Sequence, residues 1–253
     1  MKSCLIFLLL LCYAENAAAL QLKQHIKTSV GMFDALEQTL TYSFYRDKDY
    51  DIKTSMNSVG TFGAIYPFKA TYHSVGTYSK GKFQPQDYFY ETESRFHKRS
   101  KEIVYKNGIP QYRISKKDKR TRKDDITIDE NRESSNDILT AFAAIVEQIL
   151  RKGNCNIEQY SFNGKNYSLI RTKSLGKEKI KTDYFSGRAL KCEFYMQNLK
   201  KTDAGMIIKD DTPLYFWILY DKDTEAPFLA KAVVESTPLG KLEAITTKIE
   251  VKK

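Results

Sequence analysis

Side chains able to do chemistry are few and widely spaced. His25, His73 and His97 lie far apart, and none has the spacing of paired metal ligands. His73, inside an aromatic strand pattern, reads as a hydrogen-bonded or surface histidine. The chain carries no G-x-S-x-G elbow, phosphate-binding loop or dinucleotide fingerprint. Asp210-Asp211 stands beside Pro213 and reads as a turn. No catalytic residue, metal site or cofactor is therefore assigned, and no enzyme activity is expected. An envelope hydrolase assembled from distant residues is retained as a third reading.

Cysteines are more informative. Cys4 and Cys12 fall in an apolar leader, which leaves Cys155 and Cys192, an even number. In an oxidising compartment such a pair is expected to bond. The loop closed would span 37 positions, for which chain-entropy arithmetic gives about 4 kcal/mol. Two buried thiols are the other reading, and nothing resembles a C-x-x-C redox motif.

Seventeen tyrosines and fourteen phenylalanines give a different kind of site. Tyr72, Tyr88, Tyr90, Phe142, Phe194, Phe216 and Trp217 could line an apolar groove for an acyl chain or peptide. Filling a core is the more ordinary role for the same residues. One dense basic run, SKKDKRTRKDD, holds Lys116, Lys117, Lys119, Arg120, Arg122 and Lys123. It suits an anionic surface or an acidic partner, or it is a solvated loop. The formal charge of +10 survives loss of the leader, because Lys2 and Glu15 cancel. In a secreted protein that charge points to anionic envelope surfaces rather than nucleic acid.

The elements that must position these residues follow from periodicity. Lys2, the apolar run Cys4–Cys12 and Ala17-Ala18-Ala19 form a secretory signal peptide over residues 1–19. From 20 to 253 a single β-rich domain is expected, with a polar loop at about 115–133 as its only seam. One helix is predicted within Ser134–Gly153, where Ile138, Leu139, Phe142, Ile145, Val146 and Ile149 share a face. Ser134 or Asn136 would cap it and Asp137 would sit in its first turn. Nearly everything else alternates as strand and turn. Asn107-Gly108 and Asn163-Gly164 are hairpin turns, Gly60 and Gly63 bracket a bend, and Leu214–Tyr220 is apolar on both faces. The expected fold is mainly β with one central helix, a strongly curved antiparallel sheet or open barrel wrapped on that helix.

Several stretches in series resemble one bacterial envelope family, domain of unknown function 3108. They are the segment Gly60–Gly63, then YHSVGTYSKGKFQPQDY, NDILTAFAAI, Cys155 with the hairpin Phe162–Lys165, LKCEFYMQNL, and LYFWILYDKDTEAPFLAKAVVESTPLGKLEA. Asn163 departs from the Asp common there, and the long basic loop is another departure. The resemblance implies the periplasm of a Gram-negative bacterium and brings no activity or catalytic residues. The functional expectation is a non-catalytic periplasmic protein binding or carrying a lipid or other apolar envelope component. A structural or adaptor protein that binds an envelope protein is the alternative.

Overall fold

A computed structural model describes residues 20–44, 49–79, 81–127, 135–199, 212–223 and 226–252. The expected leader at 1–19, the turn residues Asp47-Lys48, the candidate cap Ser134 and Asp210-Asp211 lie outside the described residues.

Fourteen strands form one antiparallel sheet. They are β1 (Leu20–Val30), β2 (Phe33–Phe44), β3 (Asp49–Ser58), β4 (Phe68–Ser79), β5 (Lys82–Ser94), β6 (Lys98–Lys106), β7 (Ile109–Lys117) and β8 (Arg120–Asp125). After the main helix come β9 (Ile157–Phe162), β10 (Tyr167–Lys181), β11 (Ser186–Asn198), β12 (Leu214–Tyr220), β13 (Pro227–Thr237) and β14 (Gly240–Lys252). Two meanders, β1–β8 and β9–β14, join where β1 pairs with β14, for example Leu22 opposite Val251. The sheet is not closed: β8 and β9 are its edges.

Alternation explains the strands. In β1, Leu22, Gln24, Ile26 and Thr28 are buried, while Lys23, His25 and Lys27 between them reach solvent. In β12 both parities are buried, as its composition predicts. Phe216 and Ile218 join an apolar cluster with Cys192 and Ile149, whereas Trp217 and Leu219 join a larger cluster with Phe228 and Val233.

Helix α2 (Ile138–Lys152) packs against β3, β4, β5, β9 and β13. Its buried face agrees with the predicted one in part: Leu139, Ile145 and Ile149 lie inside, Ile138 and Val146 are half-buried, and only Phe142 of the predicted stripe is exposed. Leu139, Ala141, Ala143, Ile145 and Ile149 are buried, but Phe142 is 46 % exposed and Leu150 45 %. The small residues turn inward because they let the backbone approach the sheet. The cap also differs: Asp137, not Ser134 or Asn136, is the N-cap, and its carboxylate accepts from the N–H groups of Leu139 and Thr140. Gly153, left-handed at φ 67°, ends the helix as predicted.

Two further expectations are corrected. The segment around Gly60–Gly63 is not a bend but a short helix, α1 (Gly60–Ile65). The basic run is not a loop: Ser115–Asp125 forms most of the β7–β8 hairpin, with Lys117 opposite Arg120 and Ser115 opposite Arg122. Dense charge conceals a strand pattern wherever neither face is buried. Strand β10 runs unbroken to Lys181, with an irregularity at Ser174–Gly176.

Candidate functional site

Three sets of functional side chains stand out. The first surrounds the start of α2. Asp137 is fully buried, and its Oδ1 accepts from the backbone of Leu139 at 2.9 Å and Thr140 at 3.0 Å. Its Oδ2 faces the Ser74 hydroxyl at 2.8 Å and the Thr140 hydroxyl at 2.6 Å. Thr140 Oγ1 also lies 2.7 Å from the Tyr50 hydroxyl and 3.0 Å from Ser74 Oγ. Four oxygen–oxygen contacts are thus shared by three hydroxyl protons. Burial raises its pKa, against the lowering effect of the hydrogen bonds from Thr140, Ser74 and Leu139. Tyr50, Tyr88 and Tyr105 are likewise raised, by burial first and by the Asp137 charge second. The Tyr105 hydroxyl is buried without a hydrogen-bond partner among the described residues.

No histidine joins this group. His25 meets Glu250 at 3.3 Å, His73 meets Asp51 at 3.0 Å and His97 meets Asp118 at 3.7 Å, all partly or largely exposed. The serine, threonine and carboxyl near α2 tie the start of the helix to β3 and β4.

A second set lies across β4–β7. Register puts Tyr72, Tyr90, Lys101 and Ser115 side by side on one face, with Arg99 and Arg113 on the same face of β6 and β7. Tyr72 and Tyr90 stack at 5.8 Å, and Lys101 Nζ stands 5.3 Å from the Tyr90 ring. Burial, then the neighbouring charges of Arg113 and Lys165, lowers the Lys101 pKa to about 8. Lys101 donates to the Asn163 carbonyl at 3.0 Å and Arg113 donates to that of Gly164. The β9–β10 turn from one end of the sheet order is thereby held against β6 and β7 near the other end. Among the described residues no ladder crosses that seam.

The third set is a cleft of about 670 Å³ where the ends of β3, β4 and β5 meet α1. Met56, Ser58, Pro67, Phe68, Ala70 and Ser94 are among its lining residues. Met56 pairs with Ala70 and Thr54 pairs with Tyr72, so Met56 and Ala70 share a face with the Tyr72–Tyr90 pair.

The structure groups the predicted aromatic residues only in part. Tyr72, Tyr88 and Tyr90 belong together, with Tyr88 buried and 6.1 Å from Tyr90. Phe142 and Phe194 stack separately at 5.7 Å, on α2 and β11. Phe216 is inside the cluster containing the disulfide, and Trp217 faces the other way, donating to Glu178 at 2.6 Å beneath Lys191 and Lys231. Cys155 and Cys192 are bonded, with Cα atoms 6.4 Å apart. Lys116, Lys117, Lys119, Arg120, Arg122 and Lys123 are all exposed on the edge hairpin. Arg122 pairs with Asp124, and Lys123 lies 3.9 Å from the Tyr112 ring.

Sequence reasoning missed the roles of Asp137, Ser74 and Tyr50, and also Arg99, Lys101 and the Met56–Ala70 cleft. Asp137 had a usable signal, an Asp directly before the periodic apolar run. Arg99 and Lys101 alternate along β6, but their neighbours across the sheet depend on register that a single sequence does not spell out.

A search of curated proteins finds no match. Among solved structures the chain is similar to a β-barrel-like protein of domain of unknown function DUF1849 from Brucella abortus. The two superpose with a TM-score of 0.55 at 6 % identity, over 93 % of this chain and 98 % of that one. That likeness concerns the fold alone. Residues 27–243 match the family described as "Protein of unknown function (DUF3108)", and the chain belongs to that family.

Proposed function

We propose that this DUF3108 protein is a non-catalytic binding protein of the bacterial envelope, holding a lipid or similar apolar component in a curled sheet plugged by α2. The cleft carries this reading. Its 670 Å³ falls within the range of ligand sites, about 300–1,000 Å³. An acyl chain laid from Met56 and Ala70 towards Tyr72 and Tyr90 would gain about 0.8 kcal/mol per buried methylene. Arg99 and Lys101, on the same face, suit an anionic head group. Contacts of α2 with β3–β5 and with β9 and β13 support the plug arrangement. The Cys155–Cys192 bond supports work in an oxidising compartment, in keeping with the expected leader and a periplasmic location.

Protein purified from membranes should release a lipid on extraction, seen by mass spectrometry, and should take up a fluorescent fatty acid. Met56→Trp and Ser94→Trp, which fill the cleft from partly exposed positions, should lower uptake at least tenfold without changing thermal unfolding. A lipid-free protein that takes up no probe would overturn the reading.

The adaptor reading draws on one observation, the exposed edge strand β8, which could accept a partner strand. In that case deleting Lys116–Lys123 should abolish every crosslinked partner while fatty-acid uptake persists.

A further inference from the structure

Antiparallel pairing sorts the turns between two rims. The β1–β2, β3–β4, β5–β6, β7–β8 and β13–β14 connections share one rim, because Val30 pairs with Phe33 and Leu242, Asn57 with Lys69, Glu93 with Lys98, Arg99 with Lys117, and Thr237 with Gly240. Four neighbouring connections on that rim present large apolar side chains to water. Leu239 is 56 % exposed, Met32 94 %, Phe33 60 %, Ile65 57 %, Tyr66 65 % and Phe96 77 %. Successive hairpins are two strand spacings apart, about 10 Å, so these tips span about 30 Å of one edge of the molecule. The opposite rim carries fewer exposed large apolar residues, Tyr184, Tyr220 and, at the end of α2 beside the β4–β5 turn, Leu150 among those described.

Charge is arranged around the same tips. The next connection along the rim is the basic β7–β8 hairpin, whose Lys117, Lys119 and Arg120 have no ion pair among the described residues. Arg95, beside Phe96, and Lys69, behind Tyr66, are exposed as well. Acids are present too: Asp118 reaches His97 at 3.7 Å, Glu91 holds Lys98 at 2.9 Å, Glu235 holds Lys241 at 3.8 Å, and Asp34 and Glu93 are exposed. The His97–Asp118 contact and the bond from Asp118 N–H to the Lys98 carbonyl tie the Phe96 turn to the basic hairpin. Apolar tip and cations are therefore presented as one rigid edge.

We infer that this rim docks on an anionic lipid bilayer, its apolar tips entering the head-group boundary while the hairpin cations lie on the lipid phosphates. Partition of apolar side chains into the interface and attraction of cations to anionic lipid act together, and neither alone suffices for firm binding. A protein partner would also cover apolar tips. A row of separate turns, each with a bulky tip and flanked by unpaired cations, instead fits a soft charged surface without a matching shape. The cleft at α1 opens on the same rim, lined by Ser58, Pro67 and Phe68. The inference does not depend on what the cleft holds.

Flotation or sedimentation with vesicles tests it, using the full mature chain. Vesicles of phosphatidylcholine mixed with phosphatidylglycerol should bind the protein, and vesicles of phosphatidylcholine alone should bind it at least tenfold less. Raising the salt should release it. Met32→Asp with Phe96→Asp should abolish binding, and each of Lys117→Glu, Lys119→Glu and Arg120→Glu should weaken it by roughly fivefold or more. These sites are exposed, so unfolding curves should not move, and Tyr184→Ser on the opposite rim should bind as the parent does. In Met32→Trp, brominated lipid should quench the new tryptophan. Absence of binding to phosphatidylglycerol vesicles would overturn the inference, as would binding that survives Met32→Asp with Phe96→Asp. So would a dimer in solution that those two substitutions dissociate, since the tips would then be covered by a second copy. Fatty-acid uptake that persists in the rim variants separates failure here from failure of the proposed cargo.

Discussion

The two ends of α2 are fastened by opposite chemistry. At its N-terminus, Asp137, Thr140, Ser74 and Tyr50 link the helix to β3 and β4 through buried oxygen–oxygen contacts. Past its C-terminus, Cys155 bonds to Cys192 on β11, while Ile145 and Ile149 pack with Leu190, Phe216 and Ile218. One attachment is polar, directional and made to the first meander; the other is apolar, covalent and made to the second. Buried hydrogen bonds contribute little net stability but penalise every misplacement, so the polar end fixes where the helix sits. Apolar burial and the cross-link supply strength with less directional demand.

That contrast can be broken from either side. The largest effect is expected from Cys155→Ala with Cys192→Ala, about 4 kcal/mol lost in denaturant unfolding for a 37-residue separation. Spectroscopic signatures of the β3–β4 end should be unchanged in the surviving native state. Asp137→Ala removes the cap and leaves two buried hydroxyls without their acceptor, and should cost about 3 kcal/mol. Ile145→Val trims only the apolar end and should cost about 1 kcal/mol.

The smallest change at neutral pH is expected for Asp137→Asn, within about 1 kcal/mol of the parent. Its Oδ1 can accept both backbone bonds and its amide can donate to Ser74 and Thr140, whose hydroxyls turn to accept. The pH dependence should nevertheless differ clearly. Because burial raises the Asp137 pKa, the native state binds this proton more tightly than the unfolded chain. Stability from this group is therefore complete below the ordinary carboxyl range and is lost as pH rises through the raised native value. Unfolding free energies measured across acid to neutral pH should show that slope in the parent and lack it in Asp137→Asn. An identical slope in both would mean that the carboxyl is ionised when buried.

Legibility followed the range of the interactions. Hairpins set by local turn chemistry, such as Asn163-Gly164, were readable because Asn163 Oδ1 accepts the N–H groups of Lys165 and Asn166 within the turn itself. The cysteine pair was readable from parity and expected compartment. The helix was readable as a helix, and its buried stripe was readable in part, through Leu139, Ile145 and Ile149. Phe142 belongs to the apolar stripe by spacing, yet Ala141 and Ala143 take the sheet side, a choice made by the surface they meet. The basic β7–β8 hairpin was obscured because strand alternation shows only where one face is buried. The cleft and the cationic face of β6 and β7 arise from register between strands, which no local window contains.

The line where the β9–β10 turn meets β6 and β7 has a mechanical consequence. Gly164 has φ 83°, and a Cβ there would come within 2.8 Å of the Lys101 side chain and 2.9 Å of Ile103. Glycine thus lets the backbone of the turn lie against the Lys101 and Ile103 side chains where no strand pairing joins them. Side-chain bonds to two carbonyls, each contributing about 1 kcal/mol net, and apolar packing of Phe162 and Tyr167 with Ile103 and Tyr105 hold this joint, whereas backbone ladders join every neighbouring pair of strands in the sheet order. Under load or thermal motion the sheet would part first along this line and reseal without disturbing any strand, because α2, tied to both meanders, keeps the two margins within reach of each other.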